Sequence, residues 1–420
     1  MKEQEAQTEN GISEKRKQIG NIALAAGVFV LITAGWNFYS WYEATAPYGT
    51  LVASAALGIA FLCYVNIKDA LRDPAFYLMA GADLLALVHL FLIDSDKGAI
   101  LIVADFLLIL YLANKVVFSD RLLLICAGFI GFFFFYWTVD VKGYFKGYNT
   151  NFGGLVLITG FLFTMLLMEY GKDYLKTQKP WRYQKYLWIV QVLLFILAYK
   201  IIAWYRSRCA LVGLLVLAVL LLIPKKAWNI KPLYDVLCAG ATIGSIAFTG
   251  LYVWLGVLRE QFQIQIFYKD ILSGREEIWS ELWGAYLKQP LTGIGSSYVI
   301  QVEWMDGMLE VHNGMLDLLV IHGLAVFIAA CCFLLYRLLG IRKIAAADSV
   351  AKCAMAGMMT MLLTSFLENY VIVPPFSLLF LFLFAVINNR RTKLEVVCDI
   401  CYNETIEYRS AGNKNENEIH

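Results

Sequence analysis

Charge is what this sequence has least of. Only 16% of its 420 residues are Asp, Glu, Lys or Arg, and 60% are hydrophobic, whereas a soluble domain carries about 25% charged residues. The apolar residues are gathered into long runs, which excludes an ordinary soluble globule and indicates a polytopic membrane protein. The net charge of +2 carries no nucleic-acid signal, and no such partner is expected. A disulfide framework is missing too. The nine cysteines are scattered, mostly inside apolar runs, where a thiol behaves as a small hydrophobe. Only Cys398 and Cys401 have ligand-like spacing, which is half a zinc site at most and is read as incidental. No metal and no cofactor are expected. No signal peptide is expected either, because the first apolar run is too long for one and reads as a signal-anchor helix. The absence of an internal repeat speaks against the paired halves of a secondary transporter.

What is present is a series of about twelve apolar runs, at residues 19–39, 48–67, 74–93, 98–112, 122–138, 153–170, 186–205, 209–223, 233–257, 313–335, 350–367 and 370–387. The expected fold is an all-α integral membrane protein of about twelve transmembrane helices. Several runs fall short of the ~20 residues of a straight span, so tilted or partial spans are expected. Basic residues cluster in alternate loops, for example Lys15–Lys17, Lys172 to Lys185, Lys225 and Lys226, Arg337 to Lys343, and Arg390 and Arg391. The positive-inside rule then puts both termini in the cytoplasm. The layout is a cytoplasmic tail over 1–18, a membrane domain over 19–388 with an outer loop at about 259–311, and a cytoplasmic tail over 389–420 that is expected to be polar and disordered after Arg391. Asp83, His89 and Asp105 lie inside spans, where a charge costs roughly 2.5–3.5 kcal/mol. Pairing within the bundle is the first expectation for them, and lining a path is the second.

The longest polar interruption, 270–324, holds most of the candidate chemistry. Ile278, Trp279, Leu282, Trp283, Tyr286 and Leu287 form a helical stripe. A helix with that face is expected to lie in the headgroup layer, with Ser273 and Glu276 as a capping box and Arg275 in its first turn. After Pro290, Gly293 and Gly295 give a turn whose backbone N–H groups suit an anion. Arg206 and Arg208 stand in an outer hinge that the charge rule would leave poor in cations. Either can anchor to headgroups or bind phosphate with its planar fork. His312, where the loop meets the next span, can take a proton near neutral pH. Asn313 beside it offers a donor and an acceptor, and His322, deeper in the span, reads as packing or a bundle hydrogen bond. Two arginines and a histidine on one face suit glycosyl transfer from a lipid diphosphate. Cations would stabilise the departing charge, and a base would take the acceptor proton.

Three elements also carry a resemblance. Ser207-Arg208-Cys209-Ala210, the series Gly274, Arg275, Trp279, Pro290, Leu291, Gly293 and Gly295, and the series His312, Asn313, Leu316, Leu319, Gly323 and Leu324 resemble, in order, the signatures of the O-antigen ligase and polymerase superfamily. The resemblance covers 207–324 and implies a metal-independent membrane glycosyltransferase of the GT-C type in the cytoplasmic membrane of a bacterium, with its active site outside the cytoplasm. Its implied partners are undecaprenyl-diphosphate-linked oligosaccharides and membrane lipid, with a chain-length regulator as a further candidate. The catalytic residues it implies are Arg208, Arg275 and His312. Arg206, Asn313 and Glu368 are the candidate substrate-binding residues. Cys209 departs from the usual glycine. A polymerase of repeat units is the first expectation, a ligase the second and a transporter or flippase of lipid-linked sugars the third.

Overall fold

The computed structural model describes residues 2–93, 95–139, 149–178, 184–258, 265–266, 269–270, 274–302 and 311–395. The elements in order are α1 (Lys2–Gly35), α2 (Tyr39–Tyr64), α3 (Ile67–Ala70), α4 (Pro74–Leu92), α5 (Lys97–Leu112), α6 (Asp120–Val139), α7 (Thr150–Gln178), α8 (Gln184–Tyr205), α9 (Arg208–Leu222), α10 (Lys225–Trp228), α11 (Lys231–Thr242), α12 (Gly244–Val257), β1 (Gln265–Ile266), β2 (Lys269–Asp270), α13 (Arg275–Tyr286), α14 (Gly314–Gly340), α15 (Arg342–Ala347) and α16 (Ser349–Thr364). A last helix, α17, covers 376–395. The two short strands pair antiparallel between α12 and α13. The chain is thus an all-α membrane protein.

Six of these helices are long and apolar enough to cross a membrane, among the described residues: Ser13–Gly35, Tyr39–Tyr64, Asp120–Val139, Thr150–Lys176, Tyr186–Tyr205 and Gly314–Ala347. Three shorter apolar helices, Pro74–His89, Arg208–Leu222 and Ser349–Thr364, accompany them. The run at 233–257 is a bent pair, α11 and α12, meeting at 58°. The last helix begins at 376 instead of 370, because 371–375, including Pro374 and Pro375, form turns.

α7 lies deep in the bundle, with α6, α8, α9 and α16 around it. α16 and α17 consist largely of buried residues, most of them apolar. α8 is peripheral and turns Trp188, Leu193 and Trp204 outward. At the end of the bundle away from the outer loop, basic side chains close the carbonyl ends of helices, which have no partners within the helix. Arg337 donates to Leu110 O at 2.8 Å and Tyr111 O at 3.4 Å, below α5. Lys352 donates to Leu221 O and Ile223 O, both at 2.7 Å, below α9. Arg390 pairs with Asp173 and Asp348. Of the polar residues inside spans, Asp105 accepts from Ser54 Oγ at 2.9 Å. Asp83 Oδ1 and His89 Nδ1 have no hydrogen-bond partner among the described residues, so the expected pairing extends to Asp105 only.

α14 is broken at Gly323, whose φ of 81° and ψ of 172° are closed to residues with a Cβ. The loop segment 290–295 fills the break. Ile294 N donates to Val320 O at 2.7 Å, Gly295 N to Ile321 O at 3.1 Å, and Leu324 N to Pro290 O at 2.9 Å. The approach is backbone to backbone: a Cβ on Gly323 would stand 2.2 Å from Leu291 O, and one on Gly293 2.5 Å from Ile321 O. This corrects the expectation of an anion-binding turn. The N–H groups of Ile294 and Gly295 satisfy carbonyls that the break in α14 exposes.

The stripe on α13 is also placed differently from expectation. Ile278, Trp279, Leu282 and Tyr286 are buried against α12 and α14, while Trp283 and Leu287 stay exposed. Trp279 lies 4.9 Å from the Tyr252 ring and donates through Nε1 to Val311 O at 2.7 Å. An amphipathic helix needs an apolar surface to lie on, and here the protein supplies it in place of the headgroup layer.

Candidate functional site

Local contacts fix the start of α14. Asn313 is fully buried and caps the helix, its Oδ1 accepting from Leu316 N at 3.1 Å. The same oxygen accepts from Ser245 Oγ at 2.7 Å, and Nδ2 donates to Thr249 Oγ1 at 3.2 Å, both on α12. Gly314 N donates to Ser365 O at 3.0 Å, which ties α14 to the turn after α16. His312 is therefore held between two anchored neighbours, Val311 and Asn313. Its φ is 52°, a left-handed conformation that costs a non-glycine residue on the order of 1–2 kcal/mol and that surrounding contacts must impose.

The turn after α16 delivers Glu368 to this point. His312 Nδ1 lies 3.2 Å from Glu368 Oε2. Arg275, the first residue of α13, pairs with Glu368 Oε1. Asn151 Nδ2, at the start of α7, donates to the same Oε1 at 2.6 Å. Glu368 and Arg275 are 8% and 9% exposed, so each charge has its counter-ion in a nearly water-free place. The capping box expected from Ser273 falls outside the described residues. Gly274 stands at the N-cap position with φ 86°, and its N–H donates to Glu276 Oε2 at 3.0 Å.

Arg208 opens α9 one residue before Cys209. Cys209 is buried, and its Sγ donates to Asn151 O at 3.8 Å, which brings the head of α9 beside Glu368. Ser207 and Ala210 pack against α7, where a Cβ on Gly154 would stand 2.0 Å from Ser207 Oγ and 2.9 Å from Ala210 Cβ. Arg208 is half-buried, and Arg206 is exposed on the hinge with φ 53°. Arg275, His312 and Glu368 thus meet directly, Arg208 stands at the edge of the group, and Arg206 lies on the surface. The Asn313 amide is occupied in holding α14 to α12. Asn151 was not singled out by sequence reasoning; its only signal is a polar Asn-Thr-Asn triplet at the head of an apolar run.

A cavity of about 690 Å³ opens beside this group. His312 and Glu368 line it, together with residues from α1, α2, α7 and the 369–376 turn, whereas Arg206, Arg208 and Arg275 do not. The arrangement is a histidine oriented by a carboxylate, with an arginine on the carboxylate's far oxygen. It can remove a proton on the cavity side and gather negative charge on the other.

Residues 192–331 match the model of a family described as O-antigen ligase. No curated protein and no solved structure matches the chain. The matched stretch runs from α8 to the middle of α14 and contains Arg208, Arg275 and His312. The match covers 140 of the 420 residues, a third of the chain, and makes that stretch similar to the O-antigen ligase family, in support of the O-antigen ligase and polymerase superfamily.

Proposed function

We propose that the protein is a polymerase of lipid-linked oligosaccharide repeat units in the cytoplasmic membrane of a bacterium, working at the extracytoplasmic face. The glycan moves from undecaprenyl diphosphate to a sugar hydroxyl of the next unit. The observation that carries this reading is the shared carboxylate: Glu368 joins His312 at 3.2 Å and Arg275 through its other oxygen.

In this reading the acceptor oxygen attacks the anomeric carbon of the donor glycan. The bond from that carbon to the phosphate oxygen breaks, and the electron pair leaves with the diphosphate. The hydroxyl proton passes to His312 at Nε2, the ring nitrogen turned away from Glu368. The Glu368 carboxylate fixes the ring and offsets the imidazolium charge. Arg275 and Arg208 receive the diphosphate. A guanidinium carries five N–H donors, and the contact with Glu368 engages one terminal nitrogen of Arg275. Arg206 adds surface charge for the incoming lipid, and Asn313 acts through the placement of His312. The membrane domain spans 19–388, flanked by cytoplasmic tails, and a chain-length regulator is a candidate partner. The description of the matched family supports a second reading, a ligase that moves the finished glycan to a foreign acceptor.

Replacing Arg208, Arg275 or His312 with Ala is expected to abolish transfer while the protein stays in the membrane. Normal transfer by all three variants would overturn the site. With purified protein and lipid-linked repeat units, a ladder of products identifies a polymerase. A single transfer to an added foreign acceptor identifies a ligase.

A further inference from the structure

The transfer chemistry accounts for His312 and Glu368 in the lining of the cavity and leaves its aromatic lining unexplained. That lining carries Tyr39 and Tyr42 from the start of α2 and Phe152 from the start of α7. The rings form a continuous edge, with centroids 6.2 Å apart for Tyr39 and Tyr42 and 5.2 Å apart for Tyr42 and Phe152. All three are only half-buried. Asn149, Asn151 and Asn369 line the same space, and no Lys or Arg lines it among the described residues. Two further polar atoms belong to lining residues and have no hydrogen-bond partner among the described residues: Trp36 Nε1, a donor, and Asn369 Oδ1, an acceptor. Buried polar atoms are normally paired, and those that are not call for an explanation.

Flat rings beside planar amides suit a neutral, hydroxyl-rich ligand. The apolar face of a sugar ring lies on an aromatic side chain, and its hydroxyls both donate and accept. A charged diphosphate is the wrong occupant, because the arginines lie outside the cavity. A volume of about 690 Å³ falls in the range of sites that enclose a small-molecule ligand. We infer that this cavity is the acceptor subsite, where a neutral sugar ring stacks on Tyr39 and Tyr42 and presents its hydroxyl to His312. The inference rests on the glycosyl-transfer reading above. The sugar can belong to a lipid-linked repeat unit or to a foreign glycolipid, and the chemistry of the subsite is the same for both.

The test uses the full chain in nanodiscs and three probes. These are the soluble repeat-unit oligosaccharide freed by mild acid from the host's lipid-linked units, the core oligosaccharide of the host's surface glycolipid, and undecaprenyl monophosphate. Binding is followed by saturation-transfer NMR. The wild type and His312→Ala are expected to bind one of the two oligosaccharides, although His312→Ala transfers nothing. Tyr39→Ala and Tyr42→Ala should each weaken that binding about tenfold, and Tyr42→Phe, which keeps the ring, should retain it. Binding of the repeat unit points to a polymerase and binding of the core alone to a ligase; either outcome supports the subsite. Failure of the wild type to bind either oligosaccharide would overturn it. So would unchanged binding in the two alanine variants, or displacement of the bound oligosaccharide by undecaprenyl monophosphate in proportion to its concentration. If Tyr42→Ala fails to fold, Tyr39→Ala carries the same expectation. The two failures are separable: normal transfer by the Arg208→Ala, Arg275→Ala and His312→Ala variants overturns the catalytic site, whereas unaltered binding in the tyrosine variants sinks the subsite alone.

Discussion

Glu368→Gln is the most informative single change, because it keeps the shape of the side chain while removing its charge and turning one of its two acceptor oxygens into a donor. In the native site the carboxylate faces the His312 ring at 3.2 Å. At that distance an imidazolium and a carboxylate attract by about 5 kcal/mol with an effective dielectric of about 20. Two features reduce the part that acts on the reaction. Arg275 already draws on the same carboxylate, and the cavity admits solvent on the side of His312. Taking about half, 2–3 kcal/mol of stabilisation for the protonated histidine disappears, a factor of about 30–150 in rate. The assay is the initial rate of glycan transfer by the purified variant in nanodiscs, with the thermal midpoint measured on the same sample. Glu368→Ala should be worse in both respects. Both variants take the counter-charge from Arg275, but Ala also takes away the amide oxygen that Gln can leave to it, and an uncompensated buried charge costs about 3–5 kcal/mol. Transfer by Glu368→Gln at more than about half the wild-type rate would refute the role given to the carboxylate.

Three further outcomes follow from the fold. Gly323→Ala places a Cβ 2.2 Å from Leu291 O at a φ of 81°, so it should unlock the outer loop from α14 and lower the thermal midpoint severely, by more than the ~1 kcal/mol of an ordinary substitution; Gly284→Ala, where a Cβ meets nothing within 4 Å, is the matched control. Asn313→Ala removes a helix cap worth about 1 kcal/mol and leaves the buried Ser245 hydroxyl without its acceptor, while Thr249 keeps its bond to Ser245 O, so chemical denaturation should show a total loss of about 2–4 kcal/mol. A cysteine introduced at Lys288 should react with a membrane-impermeant thiol reagent in intact cells, and labelling only after lysis would reverse the assigned orientation.

The separate pieces of the site were legible in the sequence because each carries its own signal. Arg275 follows a glycine, His312 sits where a polar loop meets an apolar run, and Glu368 is a lone charge at the end of one. Their meeting was not legible, since it depends on Gly314 docking against Ser365 and on Asn151 bonding a residue 217 positions away. No local pattern encodes contacts of that range. The glycines at 293 and 295 show a different limit. A backbone that approaches an anion and one that approaches another backbone need the same residue, and only the partner tells them apart. The stripe on α13 is ambiguous in the same way, because lipid and protein both reward an apolar face. Twelve apolar runs do not fix twelve spans either, since a run such as 233–257 bends within its length.

The break in α14 bears on how the protein is assembled. Gly323 lies ten residues beyond Asn313, about 15 Å along the helix, a distance equal to half of a hydrocarbon layer about 30 Å thick. On insertion, the carbonyls of Val320 and Ile321 would meet lipid with no donor to hand. The donors belong to residues 294 and 295, which precede α14 in the chain and are made before it. α14 therefore completes its main-chain bonding by closing onto a strap that waits for it, and the order of synthesis supplies the strap first. The histidine at the head of α14 and the arginine at the head of α13 reach their common carboxylate only when α16 follows, so the site forms last, as the late product of a sequential insertion.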